Sequence, residues 1–296
     1  MTHDELIDDY RVPMKPLPTS MMPGGVLTKK IQCLLFDVYG TLFISGCGDI
    51  DAAGNALPPE QKLELLVRKY DVGKAPQALV AELRDAIEQK HSCLKSSGVD
   101  YPEIQIDKIW QQILGIGDIQ VVRKFAIEYE LIVNPVYPMP GLKRLLAAVR
   151  QQNLATGIIS NAQFFTPLLF EWFLGASMEK LGFDSRLIFM SYQLGVAKPS
   201  MKIFEMAATA VKTMGLETAT TLFVGNDMLN DIYPARSLGF QTALFAGDRR
   251  SLRLRADDPR CRDLSADLIL TDLAQLTDHL TKSGFSSQAV TYRTED

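Results

Sequence analysis

Ile31-Gln-Cys-Leu-Leu-Phe-Asp37-Val-Tyr39-Gly40-Thr41-Leu42 sets an apolar run, a carboxylate and a small-residue turn in immediate succession. Five of the six positions over 31–36 are apolar, which suits a strand covered on both faces of a parallel sheet. Gly40 supplies the backbone freedom that a tight turn needs. In an open α/β sheet, ligands lie beyond the carboxyl ends of the strands, so Asp37 arrives where a site is expected and is the candidate nucleophile. Taken alone, this Asp is better explained as a turn or helix-capping residue. The segments downstream reverse that reading.

Further apolar runs of strand length occur at 154–160, 187–190, 222–224, 242–245 and 267–270, and helical periodicity separates them. Strands alternating with helices imply a parallel sheet with right-handed crossovers. Between the first strand and Pro138-Met-Pro-Gly141 the pattern is helical only. Leu63, Leu66, Val67 and Tyr70 form one stripe, and Leu79, Leu83, Ala86 and Ile87 a second. Ile106, Ile109, Trp110 and Ile113 form a third, and Val122, Phe125, Ala126 and Tyr129 a fourth. The expected fold is therefore α/β, a Rossmann-like three-layer parallel-sheet core with a helical cap domain. Its parts would be an N-terminal arm over 1–27, rich in Pro and Gly, a core at 28–48 and 137–281, a helical cap at 49–136, and a polar tail at 282–296.

Composition narrows the function. With 296 residues and 47% hydrophobic content the chain can bury a large core. Lys and Arg number 31 against 35 Asp and Glu, a net charge of -4, and this argues against nucleic-acid and anionic-membrane partners and for a small-molecule substrate. Cys33, Cys47, Cys93 and Cys261 show no paired spacing, which argues against a zinc site or a disulfide framework and suits a reducing cytoplasm. The acidic start lacks the pattern of a signal peptide, and no apolar run is long enough to span a bilayer. Cytoplasmic location is the expectation. Only His3, His91 and His279 are available, so a histidine-driven triad is poorly supported. Nothing in the pattern reports the oligomeric state.

Four elements stand at the ends of successive strands: Asp37-x-Tyr39-Gly40-Thr41, Ser160-Asn161-Ala162, Lys198-Pro199, and Gly225-Asn226-Asp227-Met-Leu-Asn230-Asp231. In this order, with a helical insertion after the first, the chain resembles the haloacid dehalogenase-like hydrolase superfamily over roughly residues 31 to 270. The resemblance implies that Asp37 attacks the substrate and forms a covalent ester, which splits a difficult hydrolysis into two easier steps. Lys198 would hold the nucleophile and an anionic substrate together, with Pro199 at the first turn of the following helix. Ser160 and Asn161, read as opening another helix, would face an oxyanion or phosphate oxygen, and Thr41 would orient the nucleophile or bind an oxygen. Asp37, Asp227 and Asp231 look like hard oxygen ligands for Mg²⁺, with the Tyr39 backbone carbonyl and the Asn226 position completing the family's metal set.

Two positions depart from the usual phosphatase members. Tyr39 stands where a second Asp commonly serves as acid and base, and a phenol with a reference pKa of about 10 is a poor base near neutrality. Asn226 stands where a metal-binding Asp is common. Both changes remove negative charge, so Mg²⁺ should bind weakly. Asp-x-Tyr-Gly-Thr is what the metal-independent 2-haloacid dehalogenases carry, yet a Tyr of theirs is Phe204 here, and Arg68 is the nearest candidate for their cap arginine. The expected function is a Mg²⁺-dependent phosphatase acting on a small, anionic, phosphorylated metabolite, with Asp37, Tyr39 and Lys198 as catalytic residues. The alternatives are a metal-independent 2-haloacid dehalogenase and a catalytically impaired relative that binds a phosphorylated ligand.

Overall fold

The computed structural model describes residues 10–47 and 60–282. The expectations for 1–9, for the link 48–59 and for the tail from 283 lie outside the described residues.

In chain order the strands are β1 (Gly24–Gly25), β2 (Cys33–Phe36), β3 (Phe43–Ser45), β4 (Val136–Pro138), β5 (Ala155–Ser160), β6 (Ile188–Met190), β7 (Thr221–Gly225), β8 (Gln241–Phe245) and β9 (Leu268–Leu270). Besides a single turn at Ser191–Leu194, the α-helices are α1 (Glu60–Lys69), α2 (Pro76–Ser96), α3 (Ile106–Leu114), α4 (Ile119–Val133), α5 (Leu142–Gln151), α6 (Thr166–Leu174), α7 (Met201–Thr213), α8 (Tyr233–Ser237) and α9 (Leu273–Lys282). The main sheet runs β1-β9-β8-β7-β2-β5-β6, and every pairing in it is parallel except β1 with β9. The six strands expected from the apolar runs are all present.

β2 lies near the middle of this sheet because each of its residues is apolar. Leu34 and Phe36 enter one buried cluster, with Leu142, Leu145 and Leu146 of α5, Leu169 and Phe170 of α6, and Leu273 and Leu276 of α9. Cys33 and Leu35 point the other way, into a cluster with Ile203, Phe204, Ala207 and Val211 of α7 and Ala235 of α8. Side chains alternate along a strand, so an unbroken apolar run fills both faces and makes three layers.

Helices α1 to α4 build a separate cluster that includes Leu63, Leu66, Leu79, Leu83, Trp110, Phe125 and Tyr129. The Trp110 ring meets Phe125 and Tyr129 edge-on at centroid distances of 4.9 and 4.8 Å. Such pairs add roughly 0.5–1.5 kcal/mol each beyond area burial. The helical stretch leaves and returns to the core through the antiparallel β3–β4 pair, where Phe43 faces Pro138 and Ser45 faces Val136. This short stem was not visible in the sequence, since two three-residue strands carry no usable periodicity.

The described part of the arm lies on the protein. Tyr10 donates its hydroxyl to Glu128 of α4 at 3.0 Å, Leu17 and Thr19 bond to Asp248 and Ala246 after β8, and Gly24–Gly25 pairs with β9. It therefore covers an edge of the sheet that would otherwise expose unpaired backbone groups. No helix among the described residues is long and apolar enough to cross a membrane.

Candidate active site

Asp37 follows β2 directly, and its N–H still donates to the Val224 carbonyl of β7, so the strand pairing holds the backbone up to the carboxylate. Gly40 then turns the chain at φ +79°, and a Cβ there would collide with the Asn226 amide and with Ser251. Only glycine permits this close approach. Gly225 at the end of β7 serves the same purpose, because a Cβ would lie 2.5 Å from the Asp231 carboxyl carbon.

The first half of the site is a closed charge cluster. Lys198 Nζ donates to Asp37 Oδ1 at 2.7 Å and to Asp231 Oδ1 at 2.5 Å, with all three residues buried. Ser160 Oγ donates to the same Asp37 oxygen at 2.9 Å. Asp37 Oδ1 is thus held twice, and no protein donor among the described residues reaches Oδ2, so that oxygen is free to attack. Asp231 Oδ2 accepts the N–H groups of Asn226 and Asp227 at 2.9 and 3.0 Å. Burial by itself would lower the Lys198 pKa, but the charges of Asp231 and Asp37 and the hydrogen bonds to them raise it, so the ammonium is permanent at neutral pH. Burial, with the charges of Asp37 and Asp227, pushes Asp231 upward against the pull of Lys198.

Asn161 and Lys198 are tied reciprocally. The Lys198 N–H donates to Asn161 Oδ1 at 2.7 Å and Asn161 Nδ2 donates to the Lys198 carbonyl at 3.2 Å. Tyr39 bonds through its hydroxyl to Thr166 Oγ1 at 3.0 Å. Burial first, then the Glu130 charge, raises its pKa, so the phenol is neutral throughout the physiological range.

The second half is held from elsewhere. The loop between β8 and β9 lies against the β7 turn: Arg253 N–H donates to the Asn226 carbonyl at 3.0 Å and Met228 N–H to the Arg253 carbonyl at 2.9 Å. Asn226 Nδ2 donates to the Ser251 carbonyl at 2.7 Å. Arg255 forks onto Asp227, Nη2 to Oδ2 at 2.6 Å and Nε to both oxygens. Between the two halves opens a cleft lined by Asp37, Tyr39, Asn161, Lys198 and Asp231 from the first and by Asn226, Asp227, Asn230, Ser251 and Arg253 from the second.

Several expected roles change here. Ser160 and Asn161 do not open a helix, because α6 starts only at Thr166. Ser160 Oγ is turned onto the Asp37 carboxylate, and the N–H groups of Ala162 and Gln163 donate to Ser191 and Thr166 hydroxyls. Thr41 is fully buried, its hydroxyl has no partner among the described residues, and it lies off the cleft lining. Pro199 precedes the helix, which Ser200 caps by accepting the Lys202 N–H. Asp227 does not fit the metal set, since Arg255 and the N–H groups of Leu229 and Asn230 occupy its carboxylate. Asp231 is likewise engaged at both oxygens. Among the described residues no group of three or more His, Cys, Asp or Glu side chains is gathered for a metal. Ser251, Arg253 and Arg255 were missed; the one signal was the density of Arg over 249–255, which looks like a solvated surface until the loop is placed.

The chain matches the model of the haloacid dehalogenase-like hydrolases over residues 31–239. It belongs to that family. The matched span contains all four motif elements, and the hydrolase assignment follows from it. Among relatives of this hydrolase, the glyceraldehyde 3-phosphate phosphatase of Methanocaldococcus jannaschii is 24% identical over 217 residues, 72% of this chain and 83% of that protein. Its namesake in Pyrococcus furiosus is 27% identical over 153 residues, 51% of this chain and 58% of that protein. Among solved structures, 2-haloacid dehalogenase from Pseudomonas syringae pv. Tomato DC3000 superposes with a TM-score of 0.54 at 17% identity, covering 86% of this chain and 99% of that one. A haloacid dehalogenase-like phosphatase from Thermococcus onnurineus gives 0.50 at 17%, covering 84% and 98%. At such identities both speak for the fold alone.

Proposed function

We propose that this hydrolase is a phosphatase of small phosphorylated metabolites that works through an aspartyl ester on Asp37. The observation that carries the reading is the state of the Asp37 carboxylate. Ser160 and Lys198 fix one oxygen and leave the other open to the cleft. The names of the phosphatase relatives support phosphorus over carbon as the electrophile.

In the first step Asp37 Oδ2 bonds to phosphorus as the bond to the ester oxygen breaks, and the leaving oxygen takes from solvent a proton that the second step gives back. In the second, water attacks the aspartyl phosphate and returns a free carboxylate and inorganic phosphate. Lys198 stays charged throughout and offsets the charge of the nucleophile. Tyr39 holds its proton at neutral pH and so can share it with the leaving oxygen but cannot deprotonate the water efficiently. Breakdown of the ester is therefore the expected slow step.

The donors that would hold Mg²⁺ are the Asp37 carboxylate, the Tyr39 backbone carbonyl and the amide oxygen of Asn226. They are hard oxygens of the right chemistry but carry one formal charge, which fits weak binding. Mg²⁺, when bound, supplies Lewis-acid neutralisation of phosphoryl charge. Asp227 and Asp231 are left out of this set for the reasons given by their partners.

We also assign α1 to α4 the role of a cap. Their separate apolar cluster supports it, as do the contacts of the α2–α3 link with the motif loops. Ala197 N–H donates to the Tyr101 carbonyl at 2.8 Å, Ser191 Oγ to Glu103 at 2.7 Å, and Gln163 Nε2 to Glu103 at 3.1 Å. These bonds reach residues on either side of Asn161 and Lys198.

A second reading, hydrolysis of a 2-haloacid, is favoured by one feature: neither Tyr39 nor Asn226 is a carboxylate. The two are separated by measuring phosphate release from an aryl phosphate and halide release from 2-chloropropionate, each with Mg²⁺ and with chelator. Phosphate release that rises with Mg²⁺ is the expected result. Halide release alone, indifferent to chelator, overturns the phosphatase.

A further inference from the structure

We propose that Arg253 and Ser251, on the loop between β8 and β9, form an oxyanion subsite that binds the phosphoryl oxygens of the substrate. This rests on the phosphatase reading and adds to it the residues that neutralise the substrate.

Charge balance in the cleft motivates the assignment. Lys198 is matched against two carboxylates, Asp37 and Asp231, so it has no charge left for an incoming phosphate. Arg255 is matched by Asp227, Arg250 by Asp248 and Arg260 by Asp258. Arg253 lines the cleft and has no carboxylate partner among the described residues. Its Nη1 donates to the carbonyls of Arg250 and Leu252, at 2.7 and 3.1 Å, which orients the guanidinium while Nη2 and Nε keep their donors. A guanidinium presents several donors in a fixed plane and so suits phosphoryl oxygens.

Ser251 is a second, independent observation. It is fully buried, lines the same cleft, and its hydroxyl has no partner among the described residues. A buried hydroxyl without a partner is destabilising, and a ligand oxygen would relieve it.

The loop is held where this requires. Asn226 and Asp227, the β7-turn residues beside the cleft, both bond to it, through the Ser251 carbonyl and the Arg255 side chain. An Asp at 226 would set a carboxylate against that carbonyl, so the amide both lowers the negative charge of the cleft and anchors the arginine-bearing loop. One substitution thus does two things that favour an anion.

The test is calorimetric titration of inorganic phosphate into the full chain, in chelator, together with arginine footprinting by phenylglyoxal and mass spectrometry. Arg253→Gln should weaken phosphate binding by roughly ten- to a hundredfold. Arg253→Lys should recover part of that loss, and Arg249→Gln, exposed on the same loop and off the cleft, should bind like the parent. In the unmodified chain, saturating phosphate should slow adduct formation at Arg253 and not at Arg249, a readout that does not require any variant to fold. Phosphate binding with no protection of Arg253 would overturn the subsite and leave the phosphatase reading standing, whatever the variants do. No phosphate binding by the unmodified chain, in chelator or with Mg²⁺ added, would remove both.

Discussion

Asp37, Ser160 and Lys198 are fixed by bonds among themselves and to Asp231, whereas Asn226, Asp227 and Ser251 across the cleft are fixed by a loop that enters from between two other strands. The first half departs from the family pattern at Tyr39, yet its charged groups form a buried cluster among themselves. The second half departs from the pattern at Asn226, and there the acids and amides serve as anchors. The difference teaches that a motif residue keeps its family role only while its partners are unchanged. Asp227 holds its position in the sequence, but Arg255 has taken its carboxylate.

The strongest way to break this comparison is Asp37→Asn, which should lower turnover at least about a thousandfold with little change in phosphate affinity, read as initial rates beside calorimetry. Equal turnover would place the nucleophile outside the first half. Next is Lys198→Met. Removing the cation leaves two buried carboxylates facing each other, and denaturant titration should show a loss of about 3–5 kcal/mol.

The surroundings of the first half can be sharpened through Glu130, which lies behind Tyr39, accepts from Asn134 at 3.0 Å, and has its pKa raised by burial to about 7. The folded state holds this proton more tightly than the unfolded chain, whose value is 4.5. The stabilisation is therefore complete below 4.5 and is lost as pH rises through about 7. Glu130→Gln keeps a neutral side chain at every pH, so it should remove a decline on the order of 2–3 kcal/mol across that window, measured by denaturation at several pH values.

On the second half the effects are smaller. Asn226→Asp should cost about 1–2 kcal/mol without metal, because a carboxylate replaces the donor to the Ser251 carbonyl. Added Mg²⁺ should then raise the melting temperature of the variant more than that of the parent. An equal response would mean that residue 226 does not report to the metal. The least change is expected from Arg255→Gln: the arginine side chain is 34% exposed and Asp227 keeps the N–H groups of Leu229 and Asn230, so the loss should stay under about 1 kcal/mol.

Much of this molecule follows from local pattern. The run over 31–36 placed β2 in the sheet interior and brought Asp37 to its rim, and the later runs placed Ser160, Lys198 and Asp231 close enough to bond in one cluster. Unbroken apolar runs and helical spacings carry that information because burial acts on each element separately. The pairings on the far half were not legible. Asn226 meets Ser251 25 positions away and Asp227 meets Arg255 28 away, across helix α8 and a whole strand. Sequence spacing says which groups a segment offers, and only the packing of segments says which of them meet. Local pattern alone was enough for the sheet, the helical insertion and the place of Asp37, the candidate nucleophile, at the sheet's rim. The tertiary structure decided that Ser160 serves Asp37, that Asp227 is committed to Arg255, and that Arg253 faces the cleft, because each depends on the approach of a segment from elsewhere in the chain.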